Sequence, residues 1–302
     1  MSMDPAIDVV ILGSGGQLGW ELVRQSRGRG LKISFMDFPE IDISDASSVR
    51  EALSPLKAGL IVNAAAYTAV ERAEEEPEAA FAANREGPAH IAAVCREKDI
   101  PLIHFSTDFV FNGEKKGAYR EDDPVAPLSA YGRSKAAGET ALREMLPRHL
   151  ILRTAWMYGV HGPNFVKSIL KLARERRVIR VVADQHGCPT YAADLAGAVI
   201  EVAGRFLGGG RVIWGTYHYG GGGSATWHGL AEAVVEIAGR YEAFQVKKVE
   251  PITTAEYPMA ARRPANSVLD CSRIAERFGI RPRPWRESLA EMIERLYTRE
   301  ES

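Results

Sequence analysis

Cysteine is scarce in this 302-residue chain: Cys95, Cys188 and Cys271 stand alone, with no C-x-x-C pair. A set that is odd and scattered argues against a disulfide framework and a structural zinc site, and it fits a reducing cytoplasm. No apolar run approaches the ~20 residues needed to cross a bilayer, so no membrane partner is expected. The formal net charge is only −1, without the basic excess that marks nucleic-acid binding. The opening MSMDPAIDVVILG has no charged leader and runs straight into an apolar strand, unlike a signal peptide. Internal repeats and low-complexity tracts are absent.

What remains is ordinary for a globular chain, 46% apolar and 25% charged, with length enough for a large core in one or two domains. Residues 7–12, IDVVIL, read as a first strand. They lead into GSGGQLG and then a helical stretch, which places Gly13, Gly16 and Gly19 in a G-x-x-G-x-x-G turn between strand and helix. Glycines at such a turn allow a tight bend, close approach of backbone to a pyrophosphate, and close helix–strand packing; the helix N-terminus receives the anion. Gly13, Gly16, Gln17, Leu18 and Gly19 are therefore candidate cofactor-binding residues.

A second strand, 31–36, ends at Asp37, where an acidic residue typically takes ribose hydroxyls; the plainer reading is a solvated strand end. No lysine or arginine lies between Asp37 and Ser48 to receive a 2′-phosphate, which leans toward NADH over NADPH. Asp42 and Ile43 follow in a loop where a carboxylate could accept from an adenine amino group. Ser44 or Asp45 caps the next helix, 46–53. A third strand, 59–63, ends at Asn63 and continues as Ala64, Ala65, Ala66 and Tyr67, small residues against which a flat cofactor can lie. The acidic run 71–78 reads as a solvated face, and Asn84 as a polar anchor inside a helix.

The stretch from Leu102 to Glu139 carries the chemistry. Its apolar start suits a buried strand, and Ser106, Thr107 and Asp108 fall at the strand's C-terminal end, where open parallel sheets hold ligands. Tyr131 and Lys135, four apart, share one helix face. A phenol with a reference pKa near 10 becomes a usable acid if an ammonium beside it favours the phenolate, and the Thr107 hydroxyl could hold a carbonyl oxygen in line. Alone, the pair could equally be a packed tyrosine and a solvated lysine. A fifth strand, 149–154, brings Trp156 to the same edge, either as core or as a wall for a sugar or nicotinamide. Later segments include helices at 165–177, 192–206 and 227–241, the last capped by Ser224 or Thr226. Arg262 and Arg263 lie in an irregular segment, either solvent-facing or gripping a diphosphate.

These segments give an α/β fold, a doubly wound parallel sheet with helices on both faces. The dinucleotide-binding core would span 5–158 with returns near 192–220 and 276–300, and a smaller substrate-binding lobe 159–191 and 221–275.

Over nearly its whole length the chain resembles the dTDP-4-dehydrorhamnose reductases, extended short-chain dehydrogenase/reductases. The resemblance rests on GSGGQLG, NAAAYTAVERAE, STDFVFNG, YREDDPVAPLSAYGRSKAAGE and LRTAWMYG, and above all on DQHGCPTYAADLA and TTAEYPMAARRPANSVLD. It implies a Thr107, Tyr131 and Lys135 triad. Tyr131 would protonate a C4 oxygen while NADPH or NADH delivers hydride to C4, and Lys135 would hold the ribose hydroxyls. Asn63 to Tyr67 would border the cofactor, with Thr68, Val70, Thr107, Asp108, Phe109, Tyr131 and Trp156 toward a nucleotide-sugar substrate. Phe109 and Asn112 depart from the usual STDYVFDG, which leaves the exact hexulose open, and Glu71 stands where Asp is usual. The resemblance also allows a homodimer, and Mg²⁺ at its contact; Glu21 is the nearest candidate ligand, but no ligand set assembles and the metal stays unassigned. Rival readings are an epimerase or dehydratase of the same superfamily, and a non-catalytic regulatory subunit resembling the methionine adenosyltransferase β-subunit.

Overall fold

β-Branched runs buried on both faces dictate the architecture. The computed structural model describes residues 6–298; residues 1–5 and 299–302 lie outside them, and with them the start of the opening segment and the outermost ends of the expected core. The strands of the first half are Ile7–Leu12 (β1), Ile33–Met36 (β2), Ala58–Asn63 (β3), Leu102–Thr107 (β4) and His149–Thr154 (β5). The second half adds Met157–Tyr158 (β6), Val178–Val182 (β7), His186–Gly187 (β8), Thr190–Tyr191 (β9), Gly215–His218 (β10), Ala225–Thr226 (β11) and Lys248–Ile252 (β12). Helices in chain order are Gln17–Gly28 (α1), Ala46–Leu53 (α2), Pro77–Phe81 (α3), Gly87–Glu97 (α4), Ala130–Met145 (α5), Phe165–Glu175 (α6), Ala192–Leu207 (α7), Trp227–Ala238 (α8), Ser272–Phe278 (α9) and Trp285–Thr298 (α10).

Six strands form one parallel sheet in the order β10-β5-β4-β3-β1-β2. Alternate side chains go to opposite faces. Val9, Ile11, Leu60, Val62, Ile103 and Leu152 pack beneath α1 and α7. Val10, Leu12, Ile61, Leu102 and Ile151 pack beneath α2, α4 and α5. This is the doubly wound sheet anticipated above, and its strand order reverses between β1 and β3. In such sheets ligands settle at the carboxyl ends of the strands beside the reversal.

A second core lies apart from the sheet. In α6, Val166, Ile169, Leu170 and Ala173 recur at the spacing of one helix face and bury against Leu230, Val234 and Ile237 of α8. The short pairs β7–β12, β8–β11 and β6–β9 complete this lobe. The C-terminal segment divides between the two cores. Ile274, Phe278 and Ile280 join the sheet's core, but Leu289, Met292 and Ile293 of α10 join the second. Within 276–300, Phe278 and Ile280 thus pack against the sheet and α10 packs with α8. Among the described residues no helix is long and apolar enough to cross a membrane.

Capping follows the sequence closely. Asp45 caps α2 by accepting from Ser47 N–H, and Thr226 caps α8 by accepting from Gly229 N–H. Asn84 lies in a π-helical turn, Ala82–Glu86, between α3 and α4. There helix α5 approaches so closely that a Cβ on Gly138 would sit 2.0 Å from the Asn84 carbonyl oxygen. Gly138→Ala must push the two apart, and a loss of about 1–3 kcal/mol is expected in a denaturant melt; an unchanged midpoint would show that the approach is not tight.

Candidate active site

Strand ends and helix starts converge on one cleft of about 740 Å³ at the carboxyl edge of the sheet. It is lined by Gly13, Gly16, Gln17, Leu18, Asp37, Asp42, Ile43, Ala64, Ala65, Ala66, Tyr67, Thr68 and Val70 from the first half of the sheet. Thr107, Asp108, Phe109, Tyr131, Lys135 and Trp156 line it from the other. Two of the sequence candidates, Gly19 and Asn63, lie behind this wall and shape it.

The glycine turn works by close approach. Gly13 has φ +78°, and a Cβ there would lie 2.5 Å from Ala65 N; a Cβ on Gly19 would lie 1.9 Å from the Gly13 carbonyl oxygen. Gly16 is the N-cap of α1 and offers no capping side chain, and no carboxylate stands in the first turn. The leading N–H groups of α1 are thus left for an anion. Gly15 was not singled out from the sequence. Its N–H donates to Asp37 Oδ2 at 2.6 Å, while Phe38 N–H donates to Asp37 Oδ1 at 2.9 Å, so the strand-end carboxylate holds the turn itself. Asp42 likewise turns inward: its Oδ1 accepts from Ser44 N–H and Ser44 Oγ. Asn63 is fully buried; its Nδ2 lies 3.2 Å from His104 Nδ1 and its Oδ1 accepts from Ala65 N–H. That fixes the Ala64–Ala66 wall from beneath. Asn84 fixes its far end, accepting from Tyr67 N–H and donating to Tyr67 O and to Ser134 Oγ.

Thr107 and Tyr131 line the same cleft, near enough for the threonine hydroxyl to act on the phenol. Thr107 Oγ1 also donates to Asp108 Oδ1 at 3.0 Å and accepts from Phe109 N–H. The Phe109 ring packs edge-on against Tyr131, with centroids 5.7 Å apart. Burial pushes the Tyr131 phenol up to about 12, Asp108 adds to the rise, and Thr107 pulls the other way. Lys135 is buried and donates to the Phe105 carbonyl at 2.6 Å. Burial lowers its ammonium to about 8 against the opposing pull of Glu139. Here the phenol is held protonated by burial, whereas the four-residue spacing alone suggests that Lys135 depresses it. The ammonium's hydrogen bond runs to the strand.

Trp156 does reach the edge beside Thr107, because Thr107 and Thr154 are partners in the β4–β5 register. Its backbone adopts φ +45°, and its ring stacks on Trp227 at 3.6 Å. The slot exists because residue 187 is glycine: a Cβ there would lie 2.4 Å from the indole. Several further lining residues were not singled out from the sequence, Phe38, Pro163 and Thr154 among them. Phe38 is exposed and Pro163 arrives from the smaller lobe, neither with any local signal; Thr154 could have been found from its strand-end position. Thr154 Oγ1 is buried with no hydrogen-bond partner in the described protein, as befits a group awaiting a ligand. A second cavity, about 710 Å³, lies in the smaller lobe, lined by Phe165, Trp227, Arg262 and Arg263 among others. Arg263 is paired with Glu71 Oε1 at 3.0 Å.

The residues around Glu21 do not fit Mg²⁺. Glu21 Oε2 accepts from Arg24 Nε at 2.9 Å, and the Arg295 guanidinium lies 3.2 Å from Oε1. Two cations already match the single carboxylate. Among the described residues no group of three or more His, Cys, Asp or Glu could hold a metal ion.

Asp108 is held in an unfavourable charge state. Burial raises its carboxyl to about 6, against hydrogen bonds that pull it down. With the native pKa above the unfolded value, the folded protein binds the proton more tightly, so this penalty is absent below about pH 4 and complete above about pH 6. Asp108→Asn should therefore raise stability by about 3 kcal/mol at pH 7.5 and leave it nearly unchanged at pH 4, as read from melts at the two pH values. Equal shifts at both would refute the cause given.

Known proteins match this chain over nearly its whole length. A family model described as the RmlD substrate binding domain matches residues 7–298. A dTDP-4-dehydrorhamnose reductase of Aggregatibacter actinomycetemcomitans is 41% identical over 283 residues, 93% of this chain and 96% of its own length. The crystal structure of a dTDP-4-dehydrorhamnose reductase from Clostridium acetobutylicum superposes with a TM-score of 0.89 at 36% identity, covering 96% of this chain and 99% of that one. Another, from Bacillus anthracis and in complex with NADP, gives 0.88 at 33% identity over the same shares. With nearly the whole length matched by both sequence and structure, the chain belongs to the RmlD substrate-binding-domain family.

Proposed function

We propose that the chain reduces the 4-keto group of dTDP-4-dehydro-β-L-rhamnose to give dTDP-L-rhamnose, using NADPH or NADH. The observation that carries this reading is the sharing of one cleft by the glycine turn and the Thr107, Tyr131 and Lys135 group. The residues present fit a dinucleotide: an uncapped helix start for its diphosphate, an alanine wall for its flat rings, and Asp37 at the second strand's end. When bound, the reduced nicotinamide supplies the hydride for the new C4–H bond.

The chain's own groups do the rest. Thr107 orients the C4 oxygen toward Tyr131, whose phenol, kept protonated by burial, gives up its proton as negative charge develops there. Lys135 keeps one N–H on the Phe105 carbonyl and has two more donors, one of which can take a ribose hydroxyl and hold its charge near the resulting phenolate. The sugar end of the substrate lies between Thr68, Val70, Asp108, Phe109 and Trp156. The cavity containing Arg262 and Arg263 takes the nucleotide end, with the guanidiniums facing the diphosphate.

Mixing the protein with the 4-keto sugar nucleotide and each reduced cofactor should consume cofactor stoichiometrically. An epimerase that recycles its hydride internally would show no net oxidation, and a regulatory subunit no turnover. Tyr131→Phe should lower the rate by about 10²–10⁴-fold with cofactor affinity retained; unaltered turnover would sink the assignment. A 2′-phosphate beside Asp37 meets a carboxylate and no nearby lysine or arginine in the loop to Ser48, which favours NADH. Asp37→Ala should accordingly weaken NADH more than NADPH in a binding titration, and matched losses would count against the ribose contact.

A further inference from the structure

Behind the proton-donor helix lies an ion pair that the proposed chemistry does not use. Glu139 follows Lys135 by four residues on the same face of α5 and is fully buried. Arg153 of β5, only 1% exposed, grips it with two bonds, Nε to Oε1 at 2.8 Å and a terminal nitrogen to Oε2 at 2.7 Å. Arg143, on the surface end of the helix, adds a third bond to Oε2 at 2.6 Å. Arg153 is itself held by the Glu121 carbonyl and by His218 of β10, and it lies 5.1 Å over the Phe111 ring. A buried pair is weak evidence for stability, since desolvation offsets the attraction, so its place beside the active lysine calls for another account.

We propose that Glu139 is a positioning residue, the buried carboxylate that keeps the Lys135 ammonium charged in the cleft, with Arg153 and Arg143 setting how much of its field reaches the lysine. The inference rests on the reductase reading. Among the groups around Lys135, Glu139 is the carboxylate on its own helix face, one turn away, while Asp108, ionised above about pH 6, lies across the cleft. On its own helix stand Tyr131, held as the neutral phenol, and Glu139. From β4 come the Phe105 carbonyl and His104, which burial keeps neutral. Asp108, past the end of β4, faces Tyr131 and Thr107. Around Glu139 the charged groups are Arg153 and Arg143, and beyond them His149, His218, Glu121 and Arg273. Burial draws the lysine down and Glu139 alone is set against it. The carboxylate itself stays ionised because two arginines outweigh its own burial.

The test is the pH dependence of kcat/KM for the reduced cofactor, which reports ionisations of the free protein. Glu139→Gln keeps the shape and removes the charge. Its alkaline limb should move to lower pH by about one unit, making kcat/KM about tenfold smaller on that side, with KM for the sugar nucleotide unchanged. Arg143→Gln, at an exposed position, leaves the carboxylate less neutralised and should move the limb to higher pH. Opposite shifts support the proposal. A limb that stays in place in both variants, even with a lowered melting temperature, marks a purely structural pair and overturns it. If Glu139→Gln does not fold, Arg143→Gln decides alone. Absence of turnover by the unchanged protein rejects the reductase reading and this inference together, whereas turnover with an immobile limb rejects only the inference.

Discussion

A buried ammonium bonded to a main-chain carbonyl fixes the geometry on which this molecule depends. Lys135 reaches Phe105 O from helix α5, and the two residues that follow Phe105 are Ser106 and Thr107. The bond therefore ties the helix that carries the phenol to the strand that carries the threonine. Desolvating an ammonium is costly, and the arrangement persists because α5 is pinned along its length. Ser129 caps it by accepting from Gly132 N–H. A Cβ on Gly132 would lie 2.3 Å from Phe109 O, and Gly138 meets the Asn84 carbonyl. Glycine at both positions lets helix backbone approach neighbouring backbone where a side chain would hold it off.

Much of this was legible because the governing periods are local. Continuous apolar runs of strand length in 7–12 and 59–63 give a sheet buried on both faces, and the G-x-x-G-x-x-G turn fixes where that sheet meets its first helix. Tyr131 and Lys135 share a face for the same local reason. The rest depends on distances between segments remote in sequence. The apolar stripe of Trp285–Thr298 would suit either core equally, and only tertiary packing sends Leu289 and Ile293 to the smaller lobe. Asp37 reads as a ribose ligand from its position, yet it also holds Gly15 N–H, a contact across 22 residues that no spacing rule announces. Burial, not the neighbouring lysine, sets the phenol's acidity here, and burial cannot be counted from i, i+4 spacing.

The two cavities belong to different cores but are joined at two points. Glu71, in the loop that follows the alanine wall, pairs with Arg263 and accepts from Ala261 N–H, which anchors the irregular segment of the smaller lobe to the rim of the larger cleft. The second joint is aromatic: Trp156 lines the first cavity and Trp227 the second. Recognition of a long ligand across both would thus be registered by one polar contact and one apolar contact, each spanning the lobes.

That aromatic joint has an optical consequence. Two indoles lying nearly parallel at 3.6 Å couple their electronic transitions, and the resulting near-ultraviolet dichroism depends on their mutual angle. Any rotation of one lobe on the other must change that signal, so the protein carries an intrinsic chromophore pair that reports the alignment of its halves without a label.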